Sequence, residues 1–473
     1  MKASHPAPDR ARPWAALALL SLLQFLIAID VTVVNVALPS IGSDLDAGTR
    51  ALAWVVNGYA LVGGGLLLFG GRLADLLGRR RLFLLGAALF GLASLAAGFA
   101  PNLETLVVAR FGQGMGEALA SPAAMSLIAL LFTDPAERAR ALGVWGAISG
   151  GGLVVGVVLS GVLTELLHWR WIFFVNVPLV VAALLATPRL VRGDGPRTGG
   201  RLDLPGAALL TLGPIALVYG ILQASAVLVP VGILLLLLFV LVEARTRRPL
   251  VPLGFFTDRT RAVANAATVL LSAALTATFF LVTLYLQNVL ELGPLRSGLA
   301  YLPFCLALLL AVPLVAPLIR VLGMKYTAII GLLCAAAGAG WLARLPVDGR
   351  LWVDVVPGMV AVAVGMAVGL ITLQNAALHG VTEADAGVAS GVQRSVDQLG
   401  GALGLAVLVG AATAVAGDAP GDLSAQVEGY RTAFRYALFG VLAAVLGVWA
   451  AARDDRRGGP VTRAGEEDPL RGR

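Results

Sequence analysis

The chain has 473 residues, of which 58% are hydrophobic and only 13% are charged, whereas a soluble domain carries about 25% charged residues. This balance excludes a soluble globular protein and predicts a polytopic membrane protein. The 57 glycines and 24 prolines indicate neither collagen nor disorder, because no G-X-Y period occurs and the apolar runs are continuous.

Fourteen apolar runs follow one another along the chain, and each reaches the roughly 17 to 25 residues that a membrane-spanning helix needs. Six runs come first, at 14–37, 51–70, 82–99, 104–131, 141–163 and 171–188. Two runs, 205–221 and 226–242, follow a polar segment at 189–204, and six more lie at 262–289, 297–319, 326–343, 353–378, 387–416 and 432–452. We therefore predict an all-α polytopic membrane protein with fourteen transmembrane helices. The first run passes Asp30 without a small-residue cleavage site, so we expect a retained helix rather than a signal peptide.

The basic residues predict the orientation of these helices. If the N-terminus is cytoplasmic, 26 of the 35 lysines and arginines fall in cytoplasmic segments, which satisfies the positive-inside rule. We therefore expect both termini in the cytoplasm and the chain in the plasma membrane, as in a bacterial inner membrane. The net charge of +7 is then explained by topology and anionic lipid headgroups, and no nucleic-acid partner is expected.

The loops after the second and tenth runs share one pattern. Four positions of the first map at a constant offset of 245 onto the second, namely Gly71, Asp75, Gly78 and Arg80 onto Ala316, Arg320, Gly323 and Lys325. A repeat at the same place in two groups of six helices predicts a duplicated architecture. We expect an N-terminal six-helix half at 1–190, a cytoplasmic linker with two extra helices at 191–245, a C-terminal six-helix half at 246–452, and a cytoplasmic tail at 453–473.

Few residues are suited to metal binding or enzymatic catalysis. Cys305 and Cys334 lie inside apolar runs, and the three histidines lie in a tail and in loops, at His5, His168 and His379. No Walker loop, G-x-S-x-G or H-E-x-x-H sequence occurs. We therefore expect a protein that is not an enzyme and holds no cofactor or metal, and any proton chemistry would use carboxylates.

Two charged residues lie at similar depth in the predicted membrane. Asp30 is about 24 Å from the cytoplasmic edge, and Arg110 is about 21 Å from it, at 1.5 Å per helical residue. An Asp30 carboxylate that faces a water-filled cavity could alternate between a protonated form and one stabilised by Arg110. This is the minimum machinery for coupling to protons. The alternative is a permanent hydrogen bond from Asp30 to the backbone that clamps two helices.

The fourth predicted helix carries one polar stripe, formed by Arg110, Gln113, Glu117 and Ser121. We expect this stripe to face a central cavity. Glu117 is a second candidate for protonation or for pairing with a cationic substrate, and its alternative role is an ion pair or a hydrogen bond between helices. Arg394 and Asp397, one turn apart, could neutralise each other.

Other polar residues in or near the spans are expected to contribute to the substrate cavity. These residues are Asn35, Asn57, Tyr59, Gln113, Gln287, Gln374, Asn375 and Asp397. Aromatic residues near the ends of spans are more often anchors at the membrane interface, which is the alternative role for Tyr59.

Two segments are candidates for conformational change. Asp75 with Arg79 and Arg80 could latch two helices in one state, and Gly71 and Gly78 would permit a tight turn. Simple anchoring at the membrane surface is the alternative for the arginines. In the fifth span the small residues Gly152, Gly156 and Ser160 form a ridge that allows close helix packing, sliding, or both.

At this level of detail the sequence resembles the major facilitator superfamily, and within it the fourteen-span branch of drug:proton antiporters. Gly71-x-Leu73-Ala74-Asp75-x-x-Gly78-Arg79-Arg80 resembles the cytoplasmic loop signature, and Asp30-Val-Thr32-Val-Val-Asn35-Val-Ala-Leu-Pro39 resembles the first-span signature of drug antiporters. Arg110-x-x-Gln113-Gly114-x-Gly116 resembles the fourth-span motif, and Trp169-Arg170-Trp171-Ile-Phe-Phe-Val-Asn176-Val-Pro178 with Tyr285-Leu-Gln287 resembles stretches typical of the fourteen-span branch.

The sequence departs from the family pattern at two places. Gly143-x8-Gly152-x3-Gly156 resembles the fifth-span antiporter signature, but Val157 stands where the family has proline and Ser160 stands where it has a glycine. Asp397 stands where many relatives have a basic residue. The first departure bears on the direction of coupling.

The resemblance implies a proton-coupled secondary transporter that exports small amphipathic compounds, such as drugs or antibiotics, by alternating access of two halves. Its partners would be the substrate, protons and the lipid bilayer, its energy source would be the proton motive force, and it would function as a monomer. A proton symporter or facilitator that imports a small solute is the alternative that Val157 favours. A non-transporting membrane sensor is a further alternative, which would need a soluble signalling domain.

Overall fold

The computed structural model describes residues 11–191, 202–246, 249–382, 385–417 and 422–451. The predicted tail at 453–473 and most of the predicted linker before residue 202 lie outside the described residues. Within these ranges the chain is helical, with fourteen helices long and apolar enough to cross a membrane. The predicted number of spans is confirmed, and the chain is a multi-pass membrane protein.

The fourteen spans are named α1 to α14 in chain order. The first six are α1 Pro13–Asp44, α2 Thr49–Leu77, α3 Arg79–Gly98, α4 Leu103–Leu131, α5 Pro135–Leu166 and α6 Trp171–Leu190. Two more are α7 Leu204–Leu222 and α8 Leu228–Arg245. The last six are α9 Arg259–Val289, α10 Pro294–Leu322, α11 Met324–Leu342, α12 Leu351–Ala377, α13 Gly387–Ala416 and α14 Leu423–Ala451.

The first turns of α14 explain the largest boundary error of the sequence prediction. The helix begins at Leu423 rather than at residue 432, because its polar start is stabilised by ion pairs on one side and by the buried Val427 and Tyr430 on the other. Glu428 accepts from Arg431 at 3.1 Å and from Arg435 at 2.9 Å. Such pairs three or more residues apart support a helix that a search for apolar runs misses.

The turns at Gly78 and Gly323 support the internal repeat. Gly78 joins α2 to α3 with φ +91°, and Gly323 joins α10 to α11 with φ +82°. This backbone region is readily accessible only to glycine. The two residues occupy equivalent positions in the predicted halves, so the same sharp turn follows the second helix of each.

Helix burial separates a central group from a peripheral one. In their most apolar 18-residue windows α1, α2 and α9 bury 67%, 78% and 72% of residues, whereas α8 buries only 17%. The outward side chains of α8, such as Leu234, Leu237 and Leu241, are exposed, as expected where a helix meets lipid. The two extra helices pack on each other and place α7 against α2 and α13, outside the central group.

Because the number of spans is even, α1 begins and α14 ends on the same side of the bundle, which we call the terminal side. The halves are joined on the opposite side. Gln287 Nε2 of α9 donates to the Val36 carbonyl of α1 at 2.8 Å, and Arg50 Nε of α2 donates to Thr413 Oγ1 of α13 at 2.8 Å. There the backbone of α5 at Val157 also packs closely on Gly298 of α10.

The terminal half of α5 is open. A Cβ added at Gly143, Gly146, Gly150 or Gly151 would meet no atom within 4 Å, although α2 and α13 remain in contact through Leu68 and Gly391. The halves are therefore in close contact on the opposite side, and on the terminal side the described contact between them runs through α2 and α13 rather than through α5.

Candidate functional site: a charged cavity between the halves

A cavity of about 370 Å³ lies between the two halves. Its wall is formed by residues of α1, α2, α4 and α5 from one half and of α9, α12 and α13 from the other. Much of the wall is apolar, including Ile27, Val31, Leu275, Phe279 and Leu370. A mostly apolar cavity of this size with a few charged groups is typical of a site for a small organic molecule.

Behind the wall, Asp30 of α1 is the centre of a buried polar cluster. Arg110 of α4 pairs with Asp30 Oδ2 through Nη1, and Gln113 Nε2 donates to Asp30 Oδ1 at 2.8 Å. Asn176 Nδ2 of α6 approaches the same oxygen at 3.4 Å, and Ser94 Oγ of α3 accepts from Gln113 at 2.8 Å. Four helices thus stabilise one carboxylate in an apolar environment, as a buried charge requires.

The predicted match in depth between Asp30 and Arg110 is thus realised as direct contact, but the expectation that Asp30 faces the cavity is wrong. Asp30 is fully buried and does not line the cavity, whereas Arg110 does. Arg110 also donates from Nε to the Val55 carbonyl at 2.8 Å and lies 4.5 Å above the Tyr59 ring. The described hydrogen bonds to Asp30 come from side chains, which contradicts the alternative of a permanent hydrogen bond to the backbone.

Glu117 of α4 and Arg394 of α13 form an ion pair between the two halves. Arg394 Nη2 lies 3.3 Å from Glu117 Oε1, and Gln398 Nε2 donates to the same oxygen at 3.0 Å. The expectation that Arg394 and Asp397 mainly neutralise each other is corrected. Asp397 accepts instead from the hydroxyl of Ser272 on α9, because the long guanidinium side chain reaches across the interface to the buried Glu117.

The charged groups around the cavity do not balance. Asp30, Glu117 and Asp397 are three carboxyl groups, and Arg110 and Arg394 are two guanidinium groups. With all five ionised the cluster carries one net negative charge. The arrangement can therefore accept one additional positive charge, either as a proton or as the cationic group of a ligand.

Of the remaining predicted cavity residues, some line the cavity wall and the others lie behind it or at the contact between the halves. Asn35 and Tyr59 line the cavity. Asn57 is fully buried and does not line it, while Gln287 joins the halves on the opposite side. Gln113 supports Asp30 from behind the wall.

Gln374 and Asn375 do not reach the cavity. They follow the lining residues Met366 and Leu370 toward the terminal end of α12, and Asn375 is exposed and donates to the Ile371 carbonyl at 2.9 Å. The prediction that they line the cavity is therefore wrong. The rotation and depth of α12 decide which of its residues face the cavity, and the sequence does not determine either.

The predicted latch lies at the turn between α2 and α3. Arg79 Nη2 pairs with Asp75 Oδ1 at 3.2 Å, and Arg80 Nη1 donates to the Val191 carbonyl after α6 at 3.1 Å. Gly78 supplies the left-handed turn, whereas Gly71 has room for a side chain, with Pro122 3.8 Å from an added Cβ. These contacts stay within the N-terminal six helices, and a gating role remains a prediction.

The glycines of α5 differ in their surroundings. A Cβ at Gly152 would lie 2.8 Å from Ala28 Cβ, and one at Gly156 would overlap Thr32 of α1. Ser160 continues this ridge and donates to the Val33 carbonyl. Gly143 faces open space, so only two of the three predicted motif glycines take part in close packing with α1.

The structure also reveals site residues that the sequence did not single out. Ser94, Asn176, Ser272 and Gln398 each contact one of the three carboxylates. Ser94 does so indirectly, through Gln113. Asn176 could have been predicted from the sequence, because an amide interrupts an apolar run there. A serine in a membrane helix is too common to be singled out in this way. Among the described residues, no group of three His, Cys, Asp or Glu side chains could hold a metal.

A bundle of fourteen apolar helices around a central cavity, with the same sharp turn after its second and tenth helices, is consistent with the architecture of a secondary transporter. The family model of the Major Facilitator Superfamily matches residues 20–405. The chain belongs to this superfamily, and the prediction made from its motifs is confirmed.

Three relatives cover almost the whole chain. The lincomycin resistance protein of Streptomyces lincolnensis is 50% identical over 97% of this chain and 95% of its own length. The puromycin resistance protein of Streptomyces alboniger is 38% identical over 94% and 92%. The cephamycin export protein of Amycolatopsis lactamdurans is 37% identical over 87% of each chain. The predicted placement in the drug-exporter branch is confirmed by these relatives.

Two solved structures share the fold. A nucleoside transporter superimposes with a TM-score of 0.69 at 12% identity, covering 93% of this chain and 100% of its own. A bacterial homologue of the human lysosomal transporter Spinster, in an inward-facing and unoccupied conformation, gives 0.69 at 16% identity, covering 93% and 97%. These likenesses support the fold alone.

Proposed function

We propose that this chain is a proton-coupled secondary transporter that exports small amphipathic compounds across the plasma membrane by alternating access. The observation that carries the proposal is the ion pair of Asp30 and Arg110, buried directly behind the wall of a mostly apolar cavity. The relatives named for resistance to lincomycin and puromycin, and for cephamycin export, support drugs or antibiotics as the substrate class.

The mechanism follows from the charge of the cavity cluster. With Asp30 ionised, Arg110 is neutralised and the cluster has one negative charge to offer to a substrate. Protonation of Asp30 leaves Arg110 without its counter-ion at the cavity wall, so the site loses its attraction for positive charge. A proton thus releases the substrate without touching it, and deprotonation restores binding.

The structure can be assigned to one step of the proposed transport cycle. We propose that the terminal side is the cytoplasm, since the distribution of basic residues between the loops favours this orientation. In the proposed cycle, the cavity would load substrate from the cytoplasm while Asp30 is deprotonated. Rocking of the halves 1–190 and 246–452, with the inserted helices at 191–245 outside the central group, would expose Asp30 to external protons.

The direction of transport has a second candidate. Val157 of α5 stands where the antiporter signature has proline, and its carbonyl packs 2.5 Å from the Cβ position of Gly298. This departure favours import of a small solute by a symporter or facilitator on the same fold. Export remains the proposal, with one chain acting as a monomer and the proton motive force as the energy source.

Transport in inverted membrane vesicles tests the proposal. Lincomycin, puromycin, a cationic dye and a neutral dye are compared for wild type, Asp30→Asn and Asp348→Asn, which removes an acid outside the described cavity. Uptake driven by an imposed proton gradient, accompanied by proton release and lost only in Asp30→Asn, is the expected result. Transport that Asp30→Asn leaves coupled to the gradient would remove the assignment, and uptake only in right-side-out vesicles would establish import.

A further inference from the structure

Arg394 has two carboxyl groups within reach, one in each half of the protein. It donates from Nη2 to Glu117 of α4 at 3.3 Å, and Asp397 follows it by one turn on α13, on the same cavity wall. The Arg394 side chain is 42% exposed to the cavity, whereas Glu117 is 1% exposed. An exposed cation is thus held by a buried anion across the interface of the halves.

The Glu117 carboxylate is only partly satisfied. Oε1 accepts from Arg394 and Gln398, while Oε2 has no hydrogen bond of normal geometry and has the Tyr59 hydroxyl near it. Gly63 of α2 packs beside Oε2, where an added Cβ would lie 3.2 Å from that oxygen. A buried carboxylate with an unfilled acceptor position can take one more donor.

Asp397 offers Arg394 a second position. It lines the cavity, and one of its oxygens accepts from Ser272. Residues three apart on a helix are within reach of each other for an ion pair. The guanidinium can therefore leave Glu117 without losing a carboxylate partner.

We propose that Arg394 is a built-in counter-ion that occupies the place of a substrate's cationic group at Glu117 and is displaced by it toward Asp397. The displacement removes the ion pair between α4 and α13 and leaves Gln398 as their described contact at Glu117, so that binding of a monovalent cationic amphiphile weakens the contact between the halves. Arg394 therefore sets the charge selectivity of the cavity. This inference rests on the proposed transport function and names the substrate class for the same cavity.

The contrast between the two ion pairs supports this assignment. The pair of Arg110 and Asp30 is buried on both sides, at 2% and 0% exposure, and breaking it would leave buried charge behind. The pair of Arg394 and Glu117 has one partner that is 42% exposed and a longer separation, so the guanidinium can be hydrated when it leaves while an incoming cation takes its place at the buried carboxylate. A ligand can replace the second pair but not the first.

Binding to the purified full-length chain in lipid nanodiscs tests the proposal. The probes are tetraphenylphosphonium as a monovalent cation and triphenylphosphine oxide as a neutral compound of similar shape, with Kd measured by calorimetry. Arg394→Gln removes the competitor, and we expect the preference for the cation over the neutral probe to rise about fivefold. Asp397→Asn removes the second position and should lower that preference. Arg344→Gln, which removes an exposed arginine outside the cavity, is the charge control.

The outcomes separate this inference from the function itself. The inference would be overturned if Arg394→Gln preferred the cationic over the neutral probe no more than wild type does. It would also be overturned if Asp397→Asn left that preference unchanged. The second variant tests the same displacement if the first does not fold. Arg394→Lys keeps the competing charge and should stay close to wild type. A loss of gradient dependence in wild-type vesicles would instead contradict the proposed coupling while leaving the binding preferences intact.

Discussion

Asp30 and Arg110 form an ion pair that is buried behind the cavity wall, with Arg110 between the carboxylate and the cavity. A ligand in the cavity therefore meets the cation and not the acid. In the proposed mechanism, a change in the charge of Asp30 would therefore reach the cavity through the guanidinium of Arg110.

The two partners of this pair should differ in what their loss does to stability. Arg110→Gln leaves the Asp30 carboxylate buried with only Gln113 and Asn176 as donors, and we expect a loss of about 3 kcal/mol. Asp30→Asn keeps an acceptor for Arg110 and should cost less. Thermal unfolding in detergent micelles measures both variants, and the double variant should be less destabilised than the sum of the singles. Additive losses would argue against direct coupling.

Close packing of α1 on α5 should depend on Gly156. Its Cβ position overlaps Thr32 and lies 3.0 Å from the Ile29 carbonyl, so Gly156→Ala should destabilise the fold by about 1–3 kcal/mol and slow transport. Gly143→Ala places the same methyl group in open space and is the matched control, expected within about 0.5 kcal/mol of wild type. Equal unfolding temperatures for the two variants would contradict the assigned packing.

The equivalent turns should respond alike to substitution. Alanine at Gly78 or Gly323 forces an L residue into the left-handed region, at φ +91° and +82°, and each change should cost about 1–2 kcal/mol. Because the turns are in different halves, the two losses should add. Gly71→Ala lies within α2, where its added Cβ makes one ordinary contact, and it should be neutral or slightly stabilising. Chemical or thermal unfolding of the four variants gives the comparison.

Two acidic residues, Glu243 and Asp203, lie close together at the inserted helices. Glu243 Oε1 and Asp203 Oδ2 approach one point, 2.5 and 2.8 Å from the Cβ position of Gly206, and neither oxygen has a hydrogen-bond donor. Glu243 also accepts from Val251 N at 3.2 Å, which ties α8 to the segment before α9.

Two charged oxygens so close and so buried are unfavourable, so an amide should substitute for one acid. Glu243→Gln offers a donor to Asp203 and should be neutral or stabilising, whereas Glu243→Ala loses both contacts and should cost about 1–3 kcal/mol. Unfolding temperatures of the two variants decide the matter. A larger loss for glutamine than for alanine would show that both carboxylates are needed in charged form.

The sequence by itself determined the fourteen spans, the repeat at Gly78 and Gly323, and the pairing of Asp30 with Arg110. The physical reason is that the bilayer has a fixed thickness and a helix a fixed rise, so position along the chain translates directly into depth. Opposite charges at the same depth in a low-dielectric medium are expected to pair, because an unpaired buried charge is strongly unfavourable. The motifs independently predicted the superfamily, which the family model confirmed.

Only the tertiary structure decided which helices are neighbours and which way each one is turned. Helical spacing alone gave Arg394 the partner one turn away on α13, whereas the packed bundle gives it Glu117, 277 residues away. The same lack of rotational information placed Gln374 and Asn375 in the cavity and Asp30 on its surface. Fourteen apolar helices look alike to one another in sequence, and their neighbours and rotations are set by close packing of side chains, such as Gly156 on Thr32.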